Sequence, residues 1–254
     1  MKVKNLMYLG KLVRKIMARK GMKIRFTDAT QGKGAKDLRI VVRCDGSLLN
    51  AEGLKSQIGI VAMAMSKAQI YGDEPETEYR EPDLPRARAQ VKQGRYVRAS
   101  PIMWQSQKSP RVANSTYAAE AQALFLAFDA GCVLRQLYGE LPHGSPLARV
   151  PVDVKNDNLG VVRAVHAMVA QPSEKRMAGL ISGMREILRK GEVRTCAHIP
   201  GSVNVAGALT KALPANNLYW LLTENRCETF HPADRNAKRR AAAAGKQYLF
   251  KMKY

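Results

Sequence analysis

Glu120 is the acid around which this chain is organised. It lies in Asn114–Asp129, NSTYAAEAQALFLAFD. From there Tyr117, Ala121, Leu124, Phe128 and Cys132 recur at three- and four-residue steps, predicting a long helix with one core-facing stripe. Ser115 or Thr116 can cap its first turn. Glu120 falls one turn in, between small residues, so a ligand or a neighbouring backbone can approach its carboxylate. Alone, an acid in a first turn commonly does no more than satisfy the helix dipole. Asp45 closes the β-rich run Leu38–Cys44 in Asp45-Gly46-Ser47, and Asp157 stands in Asn156-Asp157-Asn158 at the outlet of another strand. A carboxylate at the end of a central strand is expensive unless it binds something, whereas Asp-Gly is equally a turn signal.

The other chemistry in the chain is cationic. Forty-two Lys and Arg face 21 Asp and Glu over 254 residues, a net charge of +21 that points to a polyanionic partner, nucleic acid ahead of a membrane surface. Lys2, Lys4, Lys11, Arg14, Lys15, Arg19, Lys20, Lys23 and Arg25 all precede the first acid, Asp28. Leu9, Leu12, Val13, Ile16 and Met17 give this stretch a partial apolar face. It reads as a transit peptide, a membrane-surface helix or a nucleic-acid-binding arm, with more lysine and less serine than a good transit peptide. The other end carries Lys238, Arg239, Arg240, Lys246, Lys251 and Lys253 beside Tyr248, Phe250 and Tyr254, a mixture suited to phosphates and base stacking. No apolar run approaches the roughly 20 residues of a membrane helix, and no membrane or small-molecule partner is expected. Cys44, Cys132, Cys196 and Cys227 are far apart, which argues against zinc and a disulfide framework and favours a reducing compartment.

These residues need elements to position them. The expected organisation is a basic N-terminal extension over 1–36, one α/β domain over 37–228 and a basic C-terminal tail over 229–254. Strands are predicted at Leu38–Cys44, Ser56–Met63, Ile102–Ser106 with Trp104 packing at its end, Arg149–Lys155 and Val193–Ile199. Charged, proline-bearing 71–101 reads as an insertion, largely loop. Helices are expected from Asn114 to near Gly139, over Leu159–Val169, from Pro172-Ser173-Glu174 to Lys190 with Gly191 as the stop, and over Val203–Glu224 with a break near Pro214.

A series of short pieces in this order resembles the ribonuclease H domain of copia-type LTR retrotransposon polyproteins. They are CDGS at Cys44–Ser47, KSQIG at Lys55–Gly59, WQSQKSPRV at Trp104–Val112, NSTYAAE at Asn114–Glu120 and NDN at Asn156–Asn158. PSEKR at Pro172–Arg176 and HIPGSVNVAGALTK at His198–Lys211 complete it, spanning Leu38–Asn225. The resemblance implies a ribonuclease H-like mixed five-stranded sheet with flanking helices. It also implies two-metal phosphodiester hydrolysis, with four carboxylates holding two Mg²⁺ about 4 Å apart. The first acid corresponds to Asp45, the second to Glu120 and the third to Asp157, with Asp153 as a rival four residues earlier on the same strand face. The fourth, inside the family's A-D-x-L-T-K, is replaced by Gly207 in Ala206-Gly207-Ala208-Leu209-Thr210-Lys211. His198 matches a residue of the family's last strand and is expected to pack.

The loss of one acid, together with the two basic ends, leads to the expectation of a catalytically inactive ribonuclease H-like protein recruited as a structural RNA-binding component of a large ribonucleoprotein. The specific expectation is a mitochondrial ribosome. Its partners would be ribosomal RNA and neighbouring proteins, with no cofactor. The alternative is an active, Mg-dependent ribonuclease H cutting RNA in RNA–DNA hybrids, with Asp45, Glu120 and Asp157 as metal ligands. A transposon fragment without function is a third.

Overall fold

The computed structural model describes residues 23–29, 37–51, 55–66, 95–140, 150–167, 175–211 and 216–230. Of the residues expected to bind RNA, only Lys23 and Arg25 are among them. The expected C-terminal site residues and positions 71–94 of the insertion lie outside.

Alternating apolar side chains build one mixed sheet, in the order β5-β4-β1-β2-β3-β6. β1 (Leu38–Ala51), β2 (Lys55–Ser66) and β3 (Arg95–Lys108) form an antiparallel meander, while β4 (Val152–Asn156) runs parallel to β1 and β5 (Thr195–His198) parallel to β4. This is the ribonuclease H-like architecture implied by the resemblance, with one addition. β6 (Arg226–Phe230) pairs antiparallel with Arg95–Arg98 at the outer edge, making six strands where five were expected.

The period-2 alternation of β1 sorts its residues between two layers. Ile40, Val42 and Cys44 face a large core that they share with Ile58, Ile60 and Ala62 of β2. Over that core lie α1 (Thr116–Glu140), α2 (Leu159–His166) and α3 (Ala178–Arg189). Val41 faces the opposite side with Val61, Met63 and Met65, beneath the 3-10 turn Val205–Leu209 and α4 (Asn216–Glu224). The expected stripe of α1 is buried at Ala121, Leu124 and Phe128, with Tyr117 and Cys132 packed at its margins. Ser115 is the cap: its Oγ accepts from the Ala118 amide at 3.0 Å. By length and composition alone α1 could cross a membrane, contrary to the sequence expectation, but more than half of its apolar window is buried inside the fold. Asn158 caps α2 by accepting from Val161 N at 3.2 Å, and Gly191 ends α3 in the left-handed region (φ +68°).

Three boundaries and the packing of Trp104 differ from the sequence expectation, and the first part of the helix expected over Val203–Glu224 is instead 3-10 turn at Gly201–Val203 and Val205–Leu209, with α4 beginning at Asn216. β3 starts at Arg95, so the last residues assigned to the 71–101 insertion are strand. Tyr96-Val97 is β-prone beneath its flanking arginines, and Pro101, which cannot donate to the ladder, sits at a register shift opposite Met63. Trp104 is 44% exposed rather than packed. The segment assigned to the N-terminal extension reaches the domain: Ala29 is buried in the large core, Arg25 N donates to Leu222 O at 2.8 Å, and Asn225 Nδ2 donates to Arg25 O at 2.7 Å. Finally, β6 occupies the residues where the C-terminal tail was expected to begin.

Candidate metal centre

Backbone packing sets the site. An added Cβ at Gly46 would lie 2.4 Å from the Ala119 carbonyl oxygen, so only glycine lets α1 rest directly on β1. That contact brings Glu120 alongside Asp45. Glu120 Oε2 accepts from the Gly46 amide at 3.0 Å and from Asn156 Nδ2 at 2.9 Å. Asn156 is the last residue of β4, in register with Cys44, and the next residue is Asp157. One oxygen each of Asp45, Glu120 and Asp157 lie within 4.8 Å of one another.

These acids are costly to hold together. Asp45 and Glu120 are buried and Asp157 is half-buried. Burial, then the charges of Asp157 and Asp45, push Glu120 up to about 8. Burial and Asp45 push Asp157 up to about 6. Among the described residues one ammonium pairs with them: Lys211 Nζ lies 3.0 Å from Asp45 Oδ1, and Thr210 Oγ1 donates to Asp45 Oδ2. Burial is the largest single influence on Lys211 and would lower its pKa, but Asp45, Asp157 and Glu120 together outweigh it and the pKa is raised. Three hard oxygen donors converging on one point suit a Mg²⁺ or Mn²⁺ ion.

Asp153, the rival for the third position, lies elsewhere. It is buried and takes Arg39 Nη1 at 2.8 Å, Arg194 Nη2 at 2.7 Å and Thr195 Oγ1 at 3.0 Å. Its charge is used to tie β1, β4 and β5 together. The 3-10 turn holding Gly207 lies beside Asp45, and an added Cβ at Gly207 would meet nothing within 4 Å. His198 is partly buried, and its Nε2 donates to the Asp157 carbonyl oxygen at 3.1 Å, so it braces the loop rather than only packing.

Beside the N-terminus of α1 lies a concavity of about 170 Å³ lined by Arg111, Asn114, Gln122 and Arg176. Gln122 is buried, its Oε1 takes the Ser109 hydroxyl, and its Nε2 has no partner among the described residues. With its amide oriented to accept, Asn114 takes a hydrogen bond from Arg176 Nη1 at 3.1 Å. Two guanidiniums and an unpaired amide donor suit a phosphate oxygen. Sequence reasoning gave these residues no role, although Arg111 and Arg176 each sit in a motif of the resemblance. The supporting roles of Asn156, Thr210 and Lys211 were missed as well.

No protein-family model matches the chain, and no curated protein does. Among solved structures it is similar to LC11, a ribonuclease H1 isolated from compost by a metagenomic approach, at 16% identity and a TM-score of 0.41, covering 67% of this chain and 91% of that one. The same enzyme in complex with an RNA/DNA hybrid matches at 18% identity and a TM-score of 0.38, over 71% and 99% of the two chains. A foamy viral protease-reverse transcriptase in complex with an RNA/DNA hybrid matches at 14% identity and a TM-score of 0.39, over 75% of this chain and 22% of that one. At these identities the likeness concerns the fold alone.

Proposed function

We propose that this chain is a nucleic-acid-binding protein of copia-type ribonuclease H descent whose three remaining carboxylates hold a divalent cation and support hydrolysis of RNA paired with DNA. The observation that carries the reading is the convergence of Asp45, Glu120 and Asp157 within 4.8 Å. Burying three like charges is unfavourable unless a cation compensates them. When bound, the cation supplies Lewis acidity to a phosphate and lowers the pKa of a water. The rest is work of the chain. The Gly46 amide and Asn156 hold one oxygen of Glu120 in place, and Thr210 and Lys211 hold both oxygens of Asp45. Arg111 and Arg176 offer charge to the backbone of a bound strand, and the net charge of +21 draws the polyanion in.

Gly207 favours a second reading. The family motif has its fourth acid there, and its loss accords with a retired nuclease kept as a structural RNA-binding component of a ribonucleoprotein. A mitochondrial location belongs to that reading and rests on the basic, amphipathic character of the first residues.

One assay separates the two: cleavage of a labelled RNA–DNA hybrid by the full chain with Mg²⁺ or Mn²⁺. Cleavage by wild type that disappears in Asp45→Asn is the expected result. Activity only in Gly207→Asp, or in no variant, would overturn the catalytic reading and leave the structural one.

A further inference from the structure

The segment that carries the fourth acid in the family motif delivers a cation here. Asn204 pins its start: Nδ2 donates to Cys44 O at 2.9 Å and Oδ1 accepts from Ala206 N at 3.2 Å. Arg43, fully buried, donates to Val203 O at 2.7 Å just upstream. The turn can lie against the sheet because position 59 is glycine: a Cβ there would be 2.6 Å from Ala206 O. Thr210 closes the turn on Gly207 O at 3.2 Å and binds Asp45. Lys211 follows directly, its Nζ 3.0 Å from Asp45 Oδ1. Both ends of the turn are thus fastened to β1 or its acid, and the ammonium is placed by the fold rather than by a free side chain.

Charge then limits what else the site accepts. Among the described residues, the three carboxylates and the Lys211 ammonium paired with them sum to two formal negative charges, which one divalent ion neutralises. A second ion would enter a site already balanced, and Gly207 offers it no ligand. We infer that Lys211 is the built-in second cation of this site, so that the carboxylates take one divalent ion instead of two. This deepens the function proposed above and holds only if the carboxylates bind a cation at all.

The test is Mn²⁺ binding to the full chain, followed by the paramagnetic resonance signal of the free ion. Wild type is expected to bind one Mn²⁺ in a manner abolished by Asp45→Asn. Lys211→Met keeps the aliphatic stem and removes the competing charge, so its first Mn²⁺ should bind about tenfold more tightly. Lys211→Arg should resemble wild type. Two equivalent Mn²⁺ per wild-type chain, or unchanged affinity in Lys211→Met, would overturn the inference and leave the metal site standing. No Mn²⁺ binding, or binding indifferent to Asp45→Asn, would remove the metal site and the inference together.

Discussion

Glu120 and Asp157 are held in a fold that resists their ionisation, and this gives a pH dependence of definite sign. Their carboxyls are raised to about 8 and about 6 from the ordinary 4.5 and 3.8. In the unfolded chain they ionise near those ordinary values, so between pH 4 and 8 the unfolded state sheds protons that the native state keeps. Without divalent cations, unfolding by urea should therefore need more denaturant at pH 5 than at pH 8. Glu120→Gln should flatten that slope, and saturating Mg²⁺ should raise stability most at pH 8. A metal-free protein more stable at pH 8 than at pH 5 would contradict the cluster as described. The three acids were legible in the sequence because each sits in a short motif with its own local signal: a strand outlet, a capped helix start or an Asn-Asp-Asn loop. The groups that hold them were not. Asn156 reads only as part of a strand outlet until β4 lies beside β1, and Lys211 only as the end of a motif until the preceding turn is pinned to Cys44.

At the scale of elements, β1 carries opposite duties on its two faces. One face is apolar and seats α1, while the other carries Arg39, Arg43 and Asp45 among apolar neighbours. Asp153 anchors the charged face through buried Arg39 and part-exposed Arg194. Asp153→Ala removes the carboxylate partner of a buried guanidinium and should cost about 3–5 kcal/mol in urea unfolding. Mn²⁺ stoichiometry should be unchanged, because Asp153 lies outside the carboxylate cluster. A loss of metal binding in a variant that still folds would place Asp153 back in the site. The strands β1 and β2 were legible as β-prone runs, β4 from alternation, β5 within the run Val193–Ile199, and the helix α1 from its stripe. The start of β3 and the whole of β6 were not, because Arg95, Arg98 and Arg226 interrupt the apolar pattern that marks a strand.

Across the whole molecule, excess positive charge and a carboxylate site coexist, and they should separate in salt. Binding of a duplex through phosphates weakens linearly in log–log salt plots, one cation contributing a slope of roughly one. Arg176→Ala should reduce that slope by about one without altering Mn²⁺ binding. An unchanged slope would remove the concavity at Arg111 and Arg176 from the nucleic-acid surface. The contact between Gly46 and the Ala119 carbonyl bears on how such a protein can change over generations. The acids answer to chemistry, and a lineage with no use for hydrolysis is free to drift at 45, 120 and 157. Glycine 46 answers to the seating of the helix on the sheet, and it must persist whether or not the chemistry does. Descendants that had abandoned the reaction would still carry this glycine, beside a position where the aspartate had gone.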